Sequence, residues 1–461
     1  MEEKSIARKQ PHCLVLSHPF QGHINPMLQF SKLLVHEGVK VTLASTRFYI
    51  NNLHININNN LPPSISLESI SDGCDNGGIP EAGSYNAYLQ RFWLVGPQSL
   101  VDLLEKLAKL GNPIDCIIYD SFLPWALDVA KRFGIVGASY FTQHVAVNNI
   151  YYHVLLGRIK VPLIEDEISL PSMPKLQLCD MPSFFFTYEE DGPVLDMLLG
   201  QFSNIDKADW VLCNSIYELD EEVVDWTTKI WPNFRTIGPN IPSKFLDKRV
   251  KDDEDYDATQ FKSEDCIEWL QDKPKGSVIY VSFGSTVPFD EEQMREIAYA
   301  LRNSNKHFLW VVRASEETKL PKDFEKKSEK GLVVTWCSQV KVLAHEAIAC
   351  FVTHCGWNSV LETLSLGVPT IAIPKWSDQS TNAKYVEDVW KVGIRAPIDD
   401  EKKIVRGEAL NNCIKEMMES EKGKEIKRNA NKWRTLITGA ASEGGSSHKN
   451  VLEFVNSLFS L

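Results

Sequence analysis

Apolar positions along this chain come in short runs, and each run breaks into polar residues at its C-terminal end. Cys13-Leu14-Val15-Leu16-Ser17, Val39 to Ala44, Cys116-Ile117-Ile118-Tyr119-Asp120 and Val136 to Phe141 read as buried strands. The third closes on an acid and the fourth runs into Thr142. Met27 to Leu34 is apolar at helical spacing, and Asn25 followed by Pro26 predicts an N-cap with proline at the first helical position. Val129 to Phe133 reads as helix. Alternation of strand, loop and helix predicts a parallel sheet with crossover helices.

The pattern then loosens. Residues 51–63 are Asn-rich and read as a surface loop, and 160–200 are rich in Pro, Leu and Phe, as in Met181-Pro182-Ser183-Phe184-Phe185-Phe186-Thr187. These are expected to be irregular apolar loops and short helices over a hydrophobic cavity, with packing under a long loop as the alternative. Pro239, Pro242 and the charged run Lys248 to Asp257 signal a linker. Beyond it the opening pattern restarts: Ser277 to Phe283 as strand, Gly284-Ser285-Thr286 as loop, Glu291 to Leu301 as helix. Two Rossmann-like halves with a cleft between them are the simplest expectation.

The richest stretch is Trp336 to Gln379. Three short strands lie in or just before it: Val333-Val334 leading to Trp336, Cys350-Phe351-Val352 leading to His354, and Ile371-Ala372-Ile373 leading to Asp378 and Gln379. Ligands of parallel sheets sit beyond the carboxyl ends of the strands, where these residues cluster. In Thr353-His354-Cys355-Gly356-Trp357-Asn358-Ser359, a strand runs through a glycine loop into a helix. A helix start offers N–H groups and a positive dipole end to a diphosphate, with Asn358, Ser359 and His354 able to line it. Ser359-x-x-Glu362 also fits an ordinary capping box. Asp378 and Gln379, a carboxylate beside an amide, can hold adjacent sugar hydroxyls.

In the first half, His23 follows the first strand and Asp120 ends its own, so both can meet at the edge of one sheet. A neutral imidazole suits proton abstraction from a hydroxyl, and a carboxylate on its other nitrogen would fix the tautomer. His12 and His18 are neighbours without an assigned role, His12 being placed before the strand. One Asp-x-Asp, Asp253-Glu254-Asp255, could hold a cation in principle, but in a charged linker it reads as solvated surface. Replacing both aspartates would then be close to silent.

Bulk properties narrow the classes. With 461 residues, 43% hydrophobic and 24% charged content, the chain suits two or three globular domains. A net charge of -12 disfavours a nucleic-acid surface. No apolar run reaches the roughly eighteen residues of a membrane span, and residues 1–11 lack a signal-peptide core. Ten cysteines without Cys-x-x-Cys spacing suggest free thiols and a cytosolic protein. No Gly-x-Gly-x-x-Gly follows a strand, which disfavours a dinucleotide dehydrogenase.

The stretch Trp336–Gln379 resembles, almost position by position, the signature box of the plant family of UDP-sugar-dependent glycosyltransferases, and the resemblance extends over essentially the whole chain. It implies the GT-B fold: an acceptor-binding Rossmann-like domain over 1–240, a linker over 241–262, a UDP-sugar domain over 263–442, and a tail over 443–461 whose helix, Lys449 to Leu458, crosses back to the first domain. It implies His23 and Asp120 as the catalytic dyad. Donor contacts fall to Trp336 (uracil stacking), Gln339 (base or ribose), Glu362 (ribose), His354, Trp357, Asn358 and Ser359, with Ser285 near the phosphates. Thr142, Asp378 and Gln379 are implied at the sugar, the glutamine leaning towards glucose. Phe20, Tyr85, Phe184 and Trp376 are candidates for an apolar acceptor pocket. The expected activity is inverting transfer of glucose from UDP-glucose to a hydroxyl or carboxyl group of a lipophilic terpenoid, steroid or phenolic acceptor. UDP-glucose enters as co-substrate, with no metal or other cofactor, no nucleic-acid partner and no membrane span, on a monomer. An ester-forming enzyme for carboxylic acids, a UDP-sugar epimerase-like enzyme and a non-catalytic nucleotide-sugar binder are the alternatives.

Overall fold

The computed structural model describes residues 10–461 except 54–64, 164, 254, 257–258, 262, 287, 323 and 325–328. Most of the Asn-rich loop expected over 51–63 lies outside the described residues. The chain divides into two compact units. Unit 1 comprises residues 1–159, 189–260 and 440–461, and unit 2 comprises 160–188 and 261–439.

The strands, in chain order, are β1 (His12–Leu16), β2 (Lys40–Thr46), β3 (Ile65–Ile70), β4 (Cys116–Asp120), β5 (Val136–Phe141), β6 (Glu167–Ile168), β7 (Leu176–Gln177), β8 (Trp210–Cys213), β9 (Phe234–Thr236), β10 (Val278–Ser282), β11 (His307–Val311), β12 (Gly331–Val334), β13 (Ile348–Thr353), β14 (Thr370–Ala372) and β15 (Gly393–Arg395). In unit 1 a parallel sheet runs β3-β2-β1-β4-β5-β8-β9. In unit 2 another runs β12-β11-β10-β13-β14-β15, and β6 and β7 form a small antiparallel ribbon. Each large sheet grows one way from its first strand and then reverses, so β1/β4 and β10/β13 are topological switch points, where crevices for ligands open.

Burial on both faces explains the unbroken apolar strands. In β10, Ile279 and Val281 join one buried cluster, while Val278 and Tyr280 join a second on the opposite face. In unit 1, Cys13 and Val15 of β1 pack with Val451, Phe454, Val455 and Leu458 of the helix Ser446–Leu458, so the tail belongs to that core.

Four expectations need correction. The helix carrying His23 spans Gln21–His36 with Phe20 as its extended N-cap, so Pro26 lies inside it rather than at its first position. Proline there lacks only the N–H that would have reached the Gly22 carbonyl, within the second turn. Residues 160–188, assigned by pattern to the first half, pack with unit 2. His12 is the first residue of β1 and bonds through Nε2 to Thr42 Oγ1 at 2.8 Å.

The fourth correction concerns Asp253, which is no solvated linker residue. It is 5% exposed, and its carboxylate takes Lys32 Nζ at 2.8 Å and the Ser243 N–H at 2.5 Å. Lys32 also reaches the Asp255 carbonyl at 3.2 Å. A lysine buried in the helix Gln21–His36 must have its charge met there, and Asp253 meets it. Residues 241–260, read as a free linker, are thereby part of unit 1.

Candidate active site

In unit 1 the chemistry gathers at the β1/β4 switch point. β1 and β4 pair Leu16 with Tyr119, so the loop after Leu16 and the carboxylate of Asp120 leave the sheet side by side. His23, in the first turn of its helix, sets Nδ1 2.7 Å from Asp120 Oδ2. Asp120 is wholly buried. Burial pushes its pKa up, but the charge and hydrogen bond of His23, the charge of His18 and the Phe122 N–H together hold it below its ordinary value. It therefore stays a carboxylate, able to orient the imidazole and leave Nε2 for a proton. Thr142, expected at the sugar, reaches the same Nδ1 at 3.2 Å.

Aromatic rings frame the dyad. Phe122 lies 4.8 Å from His23, His18 5.4 Å, and Phe20 stacks on His18 at 5.1 Å while meeting Tyr85 edge-on at 5.9 Å. Of the acceptor candidates, Phe20 and Tyr85 are thus together and half-buried. His18, set aside in the sequence, is buried with neither ring nitrogen hydrogen-bonded, and burial takes its pKa to about 3. Phe122 and His18 carry no sequence signal beyond their strand-end positions.

Unit 2 carries the rest. β10 and β13 pair Ser282 with Thr353, so the loops Phe283–Ser285 and His354–Gly356 are neighbours at the second switch point. His354 sits against both glycines: a Cβ on Gly284, which has φ +74, would lie 2.9 Å from Nε2, and one on Gly356 would lie 2.6 Å away. A side chain at either position would force the His354 ring to move. Burial, then the charge of Arg313, lowers the His354 pKa to about 4, so the ring is neutral. Among the described residues Ser285 bonds only its neighbour Thr286, at 3.4 Å.

The helix Trp357–Leu366 opens at Gly356 with no side-chain cap. This corrects the capping-box alternative: Ser359 and Glu362 lie within the helix, and their partner is Gln339. Gln339 Nε2 donates to Ser359 Oγ at 2.9 Å and to Glu362 Oε2 at 2.6 Å. Ser359 and Glu362 are buried and Gln339 half-buried, so three side chains of the sequence box meet in one partly buried network. Trp336 is stacked on Phe261 at 4.1 Å and packs against the buried cluster around Tyr280 and Cys337. Trp357 is buried and tilted against Trp390, so it faces the core. Asn358 occupies the second position of the helix.

Asp378 precedes the helix Gln379–Lys384, and its Oδ2 accepts from Asn382 Nδ2 at 2.7 Å. The same Asn382 donates to the Cys355 carbonyl at 3.0 Å, which ties the Asp378 turn to the His354 loop. Gln379 spends its Oε1 on the N–H groups of Lys375 and Trp376, at 2.9 and 3.0 Å, and keeps its amide hydrogens. Phe184 and Trp376, the remaining acceptor candidates, meet edge-on at 5.0 Å. Among the described residues no group of three or more His, Cys, Asp and Glu could hold a metal ion, and no helix is long and apolar enough to cross a membrane.

Two Rossmann-like α/β units, each with polar side chains at its switch point, are the architecture, and comparison with known proteins gives the class of activity. The family model described as UDP-glucoronosyl and UDP-glucosyl transferase matches residues 239–434. The chain is 46% identical to a mogroside I-E synthase of Siraitia grosvenorii, over 96% of this chain and 97% of that one. It is 45% identical to a flavonol 7-O-beta-glucosyltransferase of Arabidopsis thaliana, over 98% and 99%. The solved structure of Os79 from O. sativa with UDP aligns with a TM-score of 0.91 at 35% identity, over 97% of this chain and 100% of that one. The chain belongs to the plant family of UDP-dependent glycosyltransferases. It is an enzyme of that class with the GT-B fold.

Proposed function

We propose that this enzyme transfers glucose from UDP-glucose, with inversion, to a hydroxyl or carboxyl group of a lipophilic terpenoid, steroid or phenolic acceptor. The observation that carries the reading is the 2.7 Å contact between His23 Nδ1 and a buried, ionised Asp120. His23 Nε2 takes the acceptor's hydroxyl proton as its oxygen attacks the anomeric carbon, and the bond to the UDP oxygen breaks. Asp120 stabilises the imidazolium that results. Attack opposite the leaving diphosphate turns an α-linked donor into a β-glucoside. A carboxylate acceptor is already ionised and needs no base.

On the donor side, the uncapped start of the helix Trp357–Leu366 and the neutral His354 supply hydrogen bonds to the departing diphosphate. That supports transfer without a divalent metal. Trp336, Gln339 and Glu362 take the uridine, Asp378 and Gln379 the sugar, and Ser285 the phosphates. Unit 1 holds the acceptor, with Phe20 and Tyr85 among its apolar walls, and the protein works as a cytosolic monomer. Relatives named for mogroside and flavonol products, and a neighbour solved with UDP, support the donor and acceptor classes.

The test is a product assay over a panel of lipophilic alcohols and acids with UDP-glucose. UDP release that requires acceptor, together with a β-linked product, is expected. An α-linked product, or conversion of the donor without acceptor, would overturn the reading.

A further inference from the structure

Ser377 stands immediately before the Asp378–Gln379 pair, and its backbone is in the left-handed region with φ 61. A non-glycine residue there is strained and persists where its surroundings hold it. What holds it is one residue of the segment 160–188. Ser183 donates its backbone N–H to the Ser377 carbonyl at 3.0 Å and accepts the Ser377 N–H on its Oγ at 2.7 Å. Both backbone polar groups of the strained residue are thus met by Ser183.

The segment bearing Ser183 is itself pinned on the far side of the pair. Asp180 accepts Thr381 Oγ1 on its carbonyl at 2.6 Å, and its carboxylate is paired with Arg395 at 2.8 Å and Lys384 at 3.4 Å. Asp180 is 3% exposed, so this anchor is buried. The turn carrying Asp378 and Gln379 is therefore gripped before, at Ser377, and after, at Thr381, by residues 194 and 201 positions away in sequence.

We infer that Ser183 is a positioning residue for sugar recognition: through Ser377 it sets the direction in which Asp378 and Gln379 meet the hexose of the donor. This rests on the proposed role of those two residues. Loss of the Ser183 hydroxyl leaves the Ser377 N–H unpaired and lets the turn relax from its left-handed conformation. The uridine and diphosphate contacts, made by other loops, are left in place. Discrimination among hexoses falls, while UDP binding stays.

The test compares Ser183→Ala and Ser183→Thr with the starting enzyme, and includes Asp378→Ala and Gln379→Ala. The readouts are kcat/KM for UDP-glucose and UDP-galactose and the inhibition constant of UDP. Ser183→Ala should lower kcat/KM for UDP-glucose by about tenfold and shrink the glucose-to-galactose ratio at least threefold, with UDP inhibition within twofold. Ser183→Thr, which keeps the hydroxyl, should restore most of the ratio. If Asp378→Ala and Gln379→Ala change the ratio and Ser183→Ala does not, the positioning role is wrong and the sugar assignment stands. If none of the three alters it, the sugar assignment fails and takes the positioning role with it. A loss of UDP affinity in Ser183→Ala equal to its loss of kcat/KM would mean general disruption of unit 2, and would also overturn the inference.

Discussion

The two units build their chemistry in opposite ways. In unit 2 most candidate donor groups come from one contiguous stretch, since each βα turn delivers its own side chains to the sheet edge. In unit 1 the decisive contact joins His23 to Asp120, 97 positions apart, and the helix carrying His23 is held by Lys32 and Asp253, 221 positions apart. A site made from consecutive turns survives as a readable pattern. One made from long-range pairs exists only after the core has formed.

The largest effect should come from breaking the long-range pairing that supports unit 1. Asp253→Ala removes the carboxylate that faces the buried Lys32 ammonium at 2.8 Å and should cost about 3–5 kcal/mol of stability. The charged run read alone predicts that replacing both Asp253 and Asp255 is close to silent, and the buried pair reverses that for Asp253. Thermal unfolding of the variant should show a clearly lowered midpoint, and the double change Lys32→Met with Asp253→Leu should recover much of it. A midpoint equal to that of the parent would mean that the pair contributes nothing to holding the helix.

Glu362→Ala tests the contiguous site. UDP affinity should weaken by about 1.5–3 kcal/mol, the usual loss for a hydrogen bond to a charged group. Because Glu362 caps nothing, the thermal midpoint should move much less than for Asp253→Ala. A large fall in midpoint with unchanged UDP affinity would reassign Glu362 to the helix network with Gln339.

A pH-dependent effect is shared by both units. Burial holds His12 and His354 near pKa 4 and His18 near 3, against an ordinary 6.5. The unfolded chain therefore binds more protons than the folded one below pH 6.5. Stability from these groups is fully present above pH 6.5 and is lost as the pH falls towards 4, by up to about 1.4 kcal/mol per pH unit for each proton. Unfolding midpoints between pH 7 and 5 should fall, and His18→Phe should flatten the slope. An unchanged slope in that variant would show that His18 finds a partner in the folded protein.

Legibility followed the same division. The strands β1, β4, β10, β13 and β14 were readable because their apolar runs, buried on both faces, are too short for a helix and end in polar or glycine-bearing turns. The box residues Gln339, Ser359 and Glu362 were readable as a group, though not as a network, since spacing cannot tell an N-cap from the third helical position. His23 and Asp120 were placed by their strand ends. Pro26 was misread because a proline tolerated near a helix start looks like the start itself. Ser183 and Asp253 were invisible as partners: nothing local distinguishes a serine in an apolar loop, or an acid in a charged run, from a solvated one.

The claim at the centre is that His23, oriented by Asp120, removes the acceptor's proton. The direct measurement is turnover of His23→Ala on an alcohol and on a carboxylic acid acceptor, with UDP affinity determined alongside. Alcohol glucosylation should fall by roughly a hundred- to ten-thousand-fold, with UDP affinity nearly unchanged and a much smaller loss on the acid, whose carboxylate needs no base. Wild-type turnover on the alcohol, with the variant folded and binding UDP, would contradict the account.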